Sequence, residues 1–540
     1  MARFATPGVY IKEKNAFGYS VVQTPTAIPC FIGYTEKATR GRDSLLNKPT
    51  RVTSMKEFVN LFGGGPKTTF SVKAKGDNDY ELKVDKNTQF NTYNSIRLFY
   101  ANGGGTCYVI SVGDYNSPIN PKDLNNPETG GGLTALLTEQ EPSMVVVPDA
   151  TLLDKGSCYG LYQEVLRHCG ADTKSRFAIL DVYDGYKERT FDENDIVNQF
   201  RMGVGNNFLA FGAGYYPNLI TTIYNSYDFT YKNISNVADF CKILVREAEI
   251  RFLDGASLTK PTAPAKPEGA ATDEDKKKPT PPPSPNANAG LDERMVKKFE
   301  TVRDEIDKMK DPKADTVVID QNLRALSPIY RSALDKMKDE LNVMSPSGAI
   351  AGVYALVDNN IGVHKAPANV SVSAVVGPCI GITSEAQEDL NLPISGKAVN
   401  AIRGFMGKGT LIWGARTLDG NSQDWRYINV RRTMIMIEQS VKYAVENYVF
   451  EPNTQQTWIK VKATIDNFLT NLWRDGALVG PSPSAAFNVS LGLGVTMTPV
   501  DILDGIMRVS VKVAISRPAE FIEITFEQKM QEAGSTEGLV

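Results

Sequence analysis

Apolar and polar positions along the chain fall into three patterns. Short, nearly continuous apolar runs occur at Cys107-Tyr108-Val109-Ile110-Ser111-Val112, Met144-Val145-Val146-Val147 and Phe177-Ala178-Ile179-Leu180-Asp181-Val182. Runs of this length, with Gly, Pro or Asp nearby, predict strands buried on both faces. Between the last two, Leu161, Val165 and Leu166 recur at helical spacing. Strand, helix, strand from Cys30 to Tyr216 predicts an α/β layer on a largely parallel sheet. The second pattern is alternation. Val9 and Ile11 alternate with Tyr10 and Lys12, and Tyr19 to Val22 is another β-prone run. Val509, Val511, Val513 and Ile515 alternate with Ser510, Lys512 and Ala514, and after Pro518 the residues Ile522, Ile524 and Phe526 alternate with Glu523, Thr525 and Glu527. Alternation across Phe70 to Val84, around the turn Gly76-Asp77-Asn78-Asp79, predicts a hairpin insertion. The third pattern is the helical stripe: Met434, Ile437, Val441, Ala444 and Tyr448, then Trp458, Val461, Ile465, Phe468 and Leu472.

These patterns divide the chain. Pro7, Pro25 and Pro29 discourage helix at the start, so residues 1–24 read as an extended arm. No turn signal pairs its two β runs with each other, and the last strand, in a segment 517–540, also lacks an obvious hairpin partner. Unpaired β segments at termini need a sheet edge elsewhere. Residues 25–346 read as an α/β domain with insertions near 66–92 and 254–342, and residues 347–516 as a second α/β domain. Inside the second insertion, eight of the 30 prolines fall between Pro261 and Pro285, beside the run Asp273-Glu274-Asp275-Lys276-Lys277-Lys278. That composition predicts a solvated linker. The charged helices that follow, Leu291 to Lys310 and Arg331 to Leu341, are expected to decorate the surface of an inserted lobe.

Composition narrows the function classes. At about 150 residues per domain, 540 residues suggest three or four units. Lys and Arg total 59 against 62 Asp and Glu, a net charge of −3, without the basic excess of a general nucleic-acid binder. No apolar run approaches the ~20 residues of a spanning helix, and the start has no signal-peptide h-region. Six cysteines (Cys30, Cys107, Cys158, Cys169, Cys241, Cys379) without a CxxC pair are too sparse for a disulfide framework. They read as reduced and buried, in a protein made in a cytosol. With only His168 and His364, a His-rich metal site is impossible.

Candidate chemistry is correspondingly thin. Gly404-Phe405-Met406-Gly407-Lys408-Gly409-Thr410 has two residues where a P-loop needs four, and Gly follows its Lys. The runs Gly63-Gly64-Gly65 and Gly103-Gly104-Gly105 have neither P-loop nor dinucleotide spacing; tight turns explain all three. There is no GxSxG elbow and no HExxH. The remaining candidate is His168 beside Cys169, a thiol–imidazole pair for an α/β enzyme, although catalytic partners of that kind usually meet across the fold. No cofactor is expected.

Several separate stretches carry a likeness to a known family. Thr6-Pro7-Gly8-Val9-Tyr10-Ile11 resembles the opening of contractile tail sheath proteins, and Ala101-Asn102-Gly103-Gly104-Gly105-Thr106-Cys107-Tyr108-Val109 resembles their NGGGxCYV segment. Asn400-Ala401-Ile402-Arg403, Trp413-Gly414-Ala415-Arg416-Thr417-Leu418 and Trp425-Arg426-Tyr427-Ile428-Asn429-Val430-Arg431-Arg432 follow in order. So do Phe450-Glu451-Pro452-Asn453, Leu472-Trp473-Arg474-Asp475-Gly476-Ala477-Leu478 and Arg517-Pro518-Ala519-Glu520-Phe521. The likeness is strongest from Ser347 to Phe526; the hairpin near Phe70 to Val84 and the stretch Asp254 to Leu341 depart from it.

The resemblance implies a multidomain α/β sheath subunit with extended N- and C-terminal β-arms. It implies a non-enzymatic protein that polymerises helically with neighbouring sheath subunits around an inner tube protein, beside baseplate and tail-terminator or cap proteins. Contraction would then drive the tube through a target membrane without nucleotide hydrolysis. The particle would be a phage tail, a tailocin or an extracellular injection system, assembled from chains made in the bacterial cytoplasm, with no direct nucleic-acid contact and no transmembrane segment. The arms would add strands to neighbours' sheets: Val9, Tyr10, Ile11, Tyr19 and Val21 at the front, Ile522, Ile524 and Phe526 at the back. Alternatively, the last strand completes its own domain's sheet. Lys460 and Lys462, off the apolar stripe of their helix, either meet an acidic tube or form a solvated face.

Overall fold

The computed structural model describes residues 21–255 and 292–523. The described residues form two compact units: 25–255, 292–360 and 367–426 in the larger, and 21–24, 361–366 and 427–523 in the smaller.

The larger unit is built on strands β1 Pro29–Gly33, β2 Thr50–Val52, β3 Phe70–Ala74, β4 Tyr80–Val84, β5 Cys107–Ser111, β6 Met144–Val146, β7 Phe177–Asp181, β8 Gly212–Tyr216, β9 Val370–Ser371, β10 Val399–Phe405 and β11 Gly409–Trp413. Nine of these, among the described residues, make one sheet in the order β9-β11-β10-β8-β7-β6-β1-β5-β2. The six from β10 to β5 are parallel, and β2, β11 and β9 are antiparallel additions at the two ends. The apolar runs read from sequence are these central strands, and every residue of β1, β5, β6, β7 and β8 is buried.

Strand β8 pairs in parallel with β10, with Gly214 opposite Val399 and Tyr216 opposite Ala401. One sheet therefore runs through the division expected at 346/347, and that boundary falls inside the larger unit. Two buried carboxylates hold helices to it. Asp149 accepts hydrogen bonds from the backbone N–H groups of Tyr34, Asn91 and Thr92 and from the Thr92 hydroxyl, at the start of helix α1, Thr92–Ala101. Asp181, ending β7, accepts from Ser347 N–H at 2.8 Å and Ser347 Oγ at 2.6 Å. Ser347 opens the buried helix Ser347–Asn360. Each carboxylate takes up backbone donors that a helix N-terminus leaves without internal partners.

The two insertions form one lobe with a core of its own. The hairpin β3–β4 packs with α2 Val237–Leu253, α3 Glu293–Lys308, α4 Thr316–Leu326 and α5 Pro328–Leu341. Phe70, Val72 and Tyr80 from the hairpin share that core with Phe240, Leu244, Phe299, Leu323, Tyr330 and Met337. The Asn236 side chain accepts from Val72 N–H at 2.9 Å and donates to Val72 C=O at 2.7 Å, capturing the hairpin backbone. The helices expected to decorate the surface thus hold buried faces: Phe299, Val302 and Ile306 on α3, and Ala333, Leu334 and Met337 on α5. Their high charge hides a three-and-four spacing of apolar residues.

The smaller unit centres on helices α6 Ile428–Glu446 and α7 Gln455–Arg474. Met436, Ile437, Val461, Ile465, Phe468 and Leu472 fill its core, with β12 Phe487–Ser490 and β13 Ser510–Val513 beside it. Of the two helical stripes read from sequence, Ile437, Val441 and Tyr448, then Val461, Ile465, Phe468 and Leu472, face this core, whereas Met434, Ala444 and Trp458 are not among its residues.

Candidate assembly surfaces

Strands β12 and β13 form a two-stranded antiparallel sheet, with Phe487 opposite Val513 and Val489 opposite Val511. Its β13 strand continues past Val513: Ala514 N–H donates to Ala486 C=O at 2.9 Å, Val479 N–H to Ala514 C=O at 2.8 Å, and Ser516 N–H to Ala477 C=O at 3.0 Å. In an antiparallel ladder, alternate residues turn their backbone groups toward the same neighbour. Ser510, Lys512, Ala514 and Ser516 face β12 and residues 477–479, so Val511 and Val513 direct their N–H and C=O groups to the opposite side. Among the described residues no strand pairs with that side. Two strands with an open edge are marginal by themselves and form a template for a third.

The roots of both arms are fixed to one helix, α6. Thr24 N–H donates to Ser440 Oγ at 3.0 Å, and the Thr24 hydroxyl donates to Met436 C=O at 3.4 Å. Val21, expected in an exchanged strand, packs half-buried against this unit's own core and belongs to the root. Its neighbour Val22 is exposed. At the other end, the Asn429 amide donates to Ser516 C=O at 3.0 Å, and Tyr427, preceding α6, donates its hydroxyl to Glu520 at 3.3 Å. Asn429 and Ser440 lie eleven residues apart on the helix, roughly 16 Å along its axis. Beyond Glu520 the chain carries Phe521 and Ile522, 72% and 79% exposed, and residues 521–523 form no strand. Val9, Tyr10, Ile11, Tyr19, Ile524 and Phe526 lie outside the described residues. Lys460 and Lys462 are exposed on either side of the buried Val461, and Ile459 beside them is exposed too. Sequence reading missed Thr24, Asn429 and Ser440, because contacts spanning 416 residues (Thr24 to Ser440) or 87 (Asn429 to Ser516) leave no periodic signal.

The thiol–imidazole pair has no catalytic geometry. His168 and Cys169 are 2% and 0% exposed. Arg176 lies 2.7 Å from His168 Nε2, which must accept and therefore be unprotonated there. Burial, then the Arg176 and Arg167 charges, push the imidazole down to about 3. Burial pushes the Cys169 thiol up to about 12. A reactive cysteine needs the reverse, an exposed thiolate. Among the described residues, no helix is long and apolar enough to cross a membrane.

Comparison with known proteins converges on one family. Residues 421–529 match the phage tail sheath C-terminal domain, a span that takes in α6, α7, β12 and β13. The tail sheath protein of Vibrio phage KVP40 is 27% identical over 146 residues, 26% of this chain and 21% of that protein. The tail sheath protein of Burkholderia phage BcepMu is 28% identical over 139 residues, 25% of this chain and 29% of that protein. These matches span under a third of the curated relatives' lengths. Whole-length likeness comes from the PVC sheath complex of an extracellular contractile injection system in its contracted state. It shares 25% identity and a TM-score of 0.55, with 98% of this chain and 99% of that one covered. The smaller unit thus carries a match to the phage tail sheath C-terminal domain, and along nearly its whole length the chain is similar to a contractile sheath protein.

Proposed function

We propose that this chain is the structural subunit of a contractile sheath, polymerising helically with copies of itself around an inner tube. Contraction would drive the tube through a target membrane. The observation that carries the reading is the likeness, over 98% of the chain, to a sheath whose structure is of the contracted state. The open edge of β13 and the arm roots on α6 supply a physical means. A neighbour's arm adds main-chain hydrogen bonds along the edge, and alternate side chains fix its register. Because both roots are tied to one helix, the arms stay linked while the folded bodies rotate. Val9, Tyr10, Ile11 and Tyr19 at the front and Ile522, Ile524 and Phe526 at the back are the residues proposed for exchange. Lys460 and Lys462 on α7 are proposed to face an acidic inner tube. The assembly belongs to a phage tail or an extracellular injection particle, with a baseplate at one end and a cap at the other, from chains made in the bacterial cytoplasm.

Negative-stain electron microscopy tests this directly, comparing the full chain with a variant lacking residues 1–22. Long striated tubes from the full chain, lost on truncation, are expected. Discrete particles from the full chain under every salt condition would sink the sheath reading. Tubes from both would keep the sheath and remove the front arm as the essential link.

A further inference from the structure

A knob and a complementary hole sit on the larger unit, apart from the strand edge and arms of the smaller one. The knob is the tip of the β10–β11 hairpin. Met406 is 102% exposed there, and Lys408 is exposed two residues on. The turn is closed by Lys408 N–H donating to Phe405 C=O at 3.1 Å, and Gly407 and Gly409 adopt left-handed φ values of 75° and 77°. Phe405 packs on Trp413 with ring centroids 4.5 Å apart, and the Arg403 guanidinium lies 5.5 Å from the Phe405 ring. The tip is braced rather than floppy, so presenting Met406 costs little ordering entropy.

The hole is a cavity of about 380 Å³ lined by Tyr216, Ile380, Ile382 and Leu390, with Glu188 and Glu385 also on its wall. Arg189, also lining it, does not call for an anion. Its guanidinium is held by Asp195 at 3.1 Å and Asp389 at 2.7 Å, beneath the Phe191 ring at 4.4 Å. Glu188 and Glu385 are exposed and have no ion-pair partner among the described residues, and neither has Lys408. An apolar floor with two free carboxylates fits an apolar side chain flanked by a cation. Of the three fully exposed apolar side chains among the described residues, Met406 has an exposed cation two positions on, whereas Ile394 is followed by Ser395 and Gly396 and Phe450 by Glu451.

We infer that Met406 and Lys408 of one copy seat in the Glu188–Glu385 cavity of a second copy, as a contact between sheath subunits. The inference rests on the reading that copies of this chain polymerise. Because knob and hole are different surfaces, the contact is heterologous, and repeating it generates a ring or a helix rather than a closed dimer.

Charge reversal on each side tests it, in the full chain, by the concentration at which half the protein sediments as tubes. Lys408→Glu alone, or Glu188→Lys with Glu385→Lys, is expected to raise that concentration at least tenfold. Combining all three should bring it back to within about threefold of the parent. Single-side reversals that assemble like the parent, or a combination no better than either side, would overturn the inference. A second measurement does not need tubes. Met406→Cys and Glu385→Cys copies, each also carrying Cys379→Ser, are mixed and oxidised with copper phenanthroline. A cross-linked pair from the mixture, and from neither copy alone, is expected; its absence overturns the contact. If the parent forms no tubes but the mixture cross-links, the sheath reading fails and the knob-and-hole contact stands.

Discussion

Asp181 ends β7 with its carboxylate sealed from water, and burial pushes it up to about 6 from an ordinary 3.8. The hydrogen bonds from Ser347 only partly oppose that shift. A group whose folded pKa is raised binds more protons folded than unfolded between the two values. Its contribution to stability is therefore full below about 3.8 and is lost as the pH rises through about 6. At 1.36 kcal/mol per unit, the span is at most about 3 kcal/mol. Unfolding free energies by urea titration at pH 4 and pH 7 should show this decline in the parent relative to Asp181→Asn. A parallel pH response in the two proteins would count against it. Residue-scale burial also governs the cysteines. Cys30, Cys107, Cys158, Cys169 and Cys241 are buried and Cys379 is half-buried. Native thiol titration should therefore find one slow group, and all six only after denaturation. Cys169→Ala should cost about 1–2 kcal/mol of packing and leave tube assembly intact, measured by melting and microscopy.

At the scale of elements, the lobe illustrates how a core can be assembled from pieces distant in sequence. Hairpin β3–β4 has one apolar face, and α2 through α5 carry stripes that an isolated helix could not bury. Together they bury Phe70, Phe299 and Tyr330 completely. Phe299→Ala should destabilise the lobe by about 3–5 kcal/mol, the range for deleting a buried aromatic ring. Hydrogen exchange is the measurement: amides of β3, β4 and α3 should lose protection while those of β1, β6 and β7 keep theirs. Equal loss in both sets would mean that the lobe and the sheet unfold as one. The hairpin, the charged helices and the central strands were legible as elements, because each carries its own periodicity. That the two insertions share a core was not, since nothing in the hairpin's alternation names the helix its apolar face meets.

At the scale of the whole molecule, assembly depends on surfaces that the single chain leaves open. The backbone side of Val511 and Val513, the exposed Phe521 and Ile522, and Lys460 with Lys462 are such surfaces in the smaller unit. If the lysines face an acidic tube, Lys460→Glu with Lys462→Glu should leave self-assembly of the sheath unchanged. It should also weaken co-sedimentation with a purified inner tube about tenfold at low salt, with the difference shrinking as salt screens the charges. Unchanged co-sedimentation would return the two lysines to a solvated face.

What the sequence determined by itself is what local pattern encodes: buried parallel strands from runs of apolar residues, two amphipathic helices, and ordered motifs that resemble one family. Tertiary structure decided what depends on contacts between distant positions. Strand β10 joins β8 across nearly two hundred residues and erases a domain boundary that composition suggested. Thr24 hydrogen-bonds to Ser440, and Val21 packs half-buried against the smaller unit's core. Arg176 beside His168, with burial around Cys169, removes a nucleophile that adjacency alone had offered. The physical reason is common to all three. Periodicity reports which face of an element is apolar, whereas partner, protonation and exposure are set by whichever element packs against it.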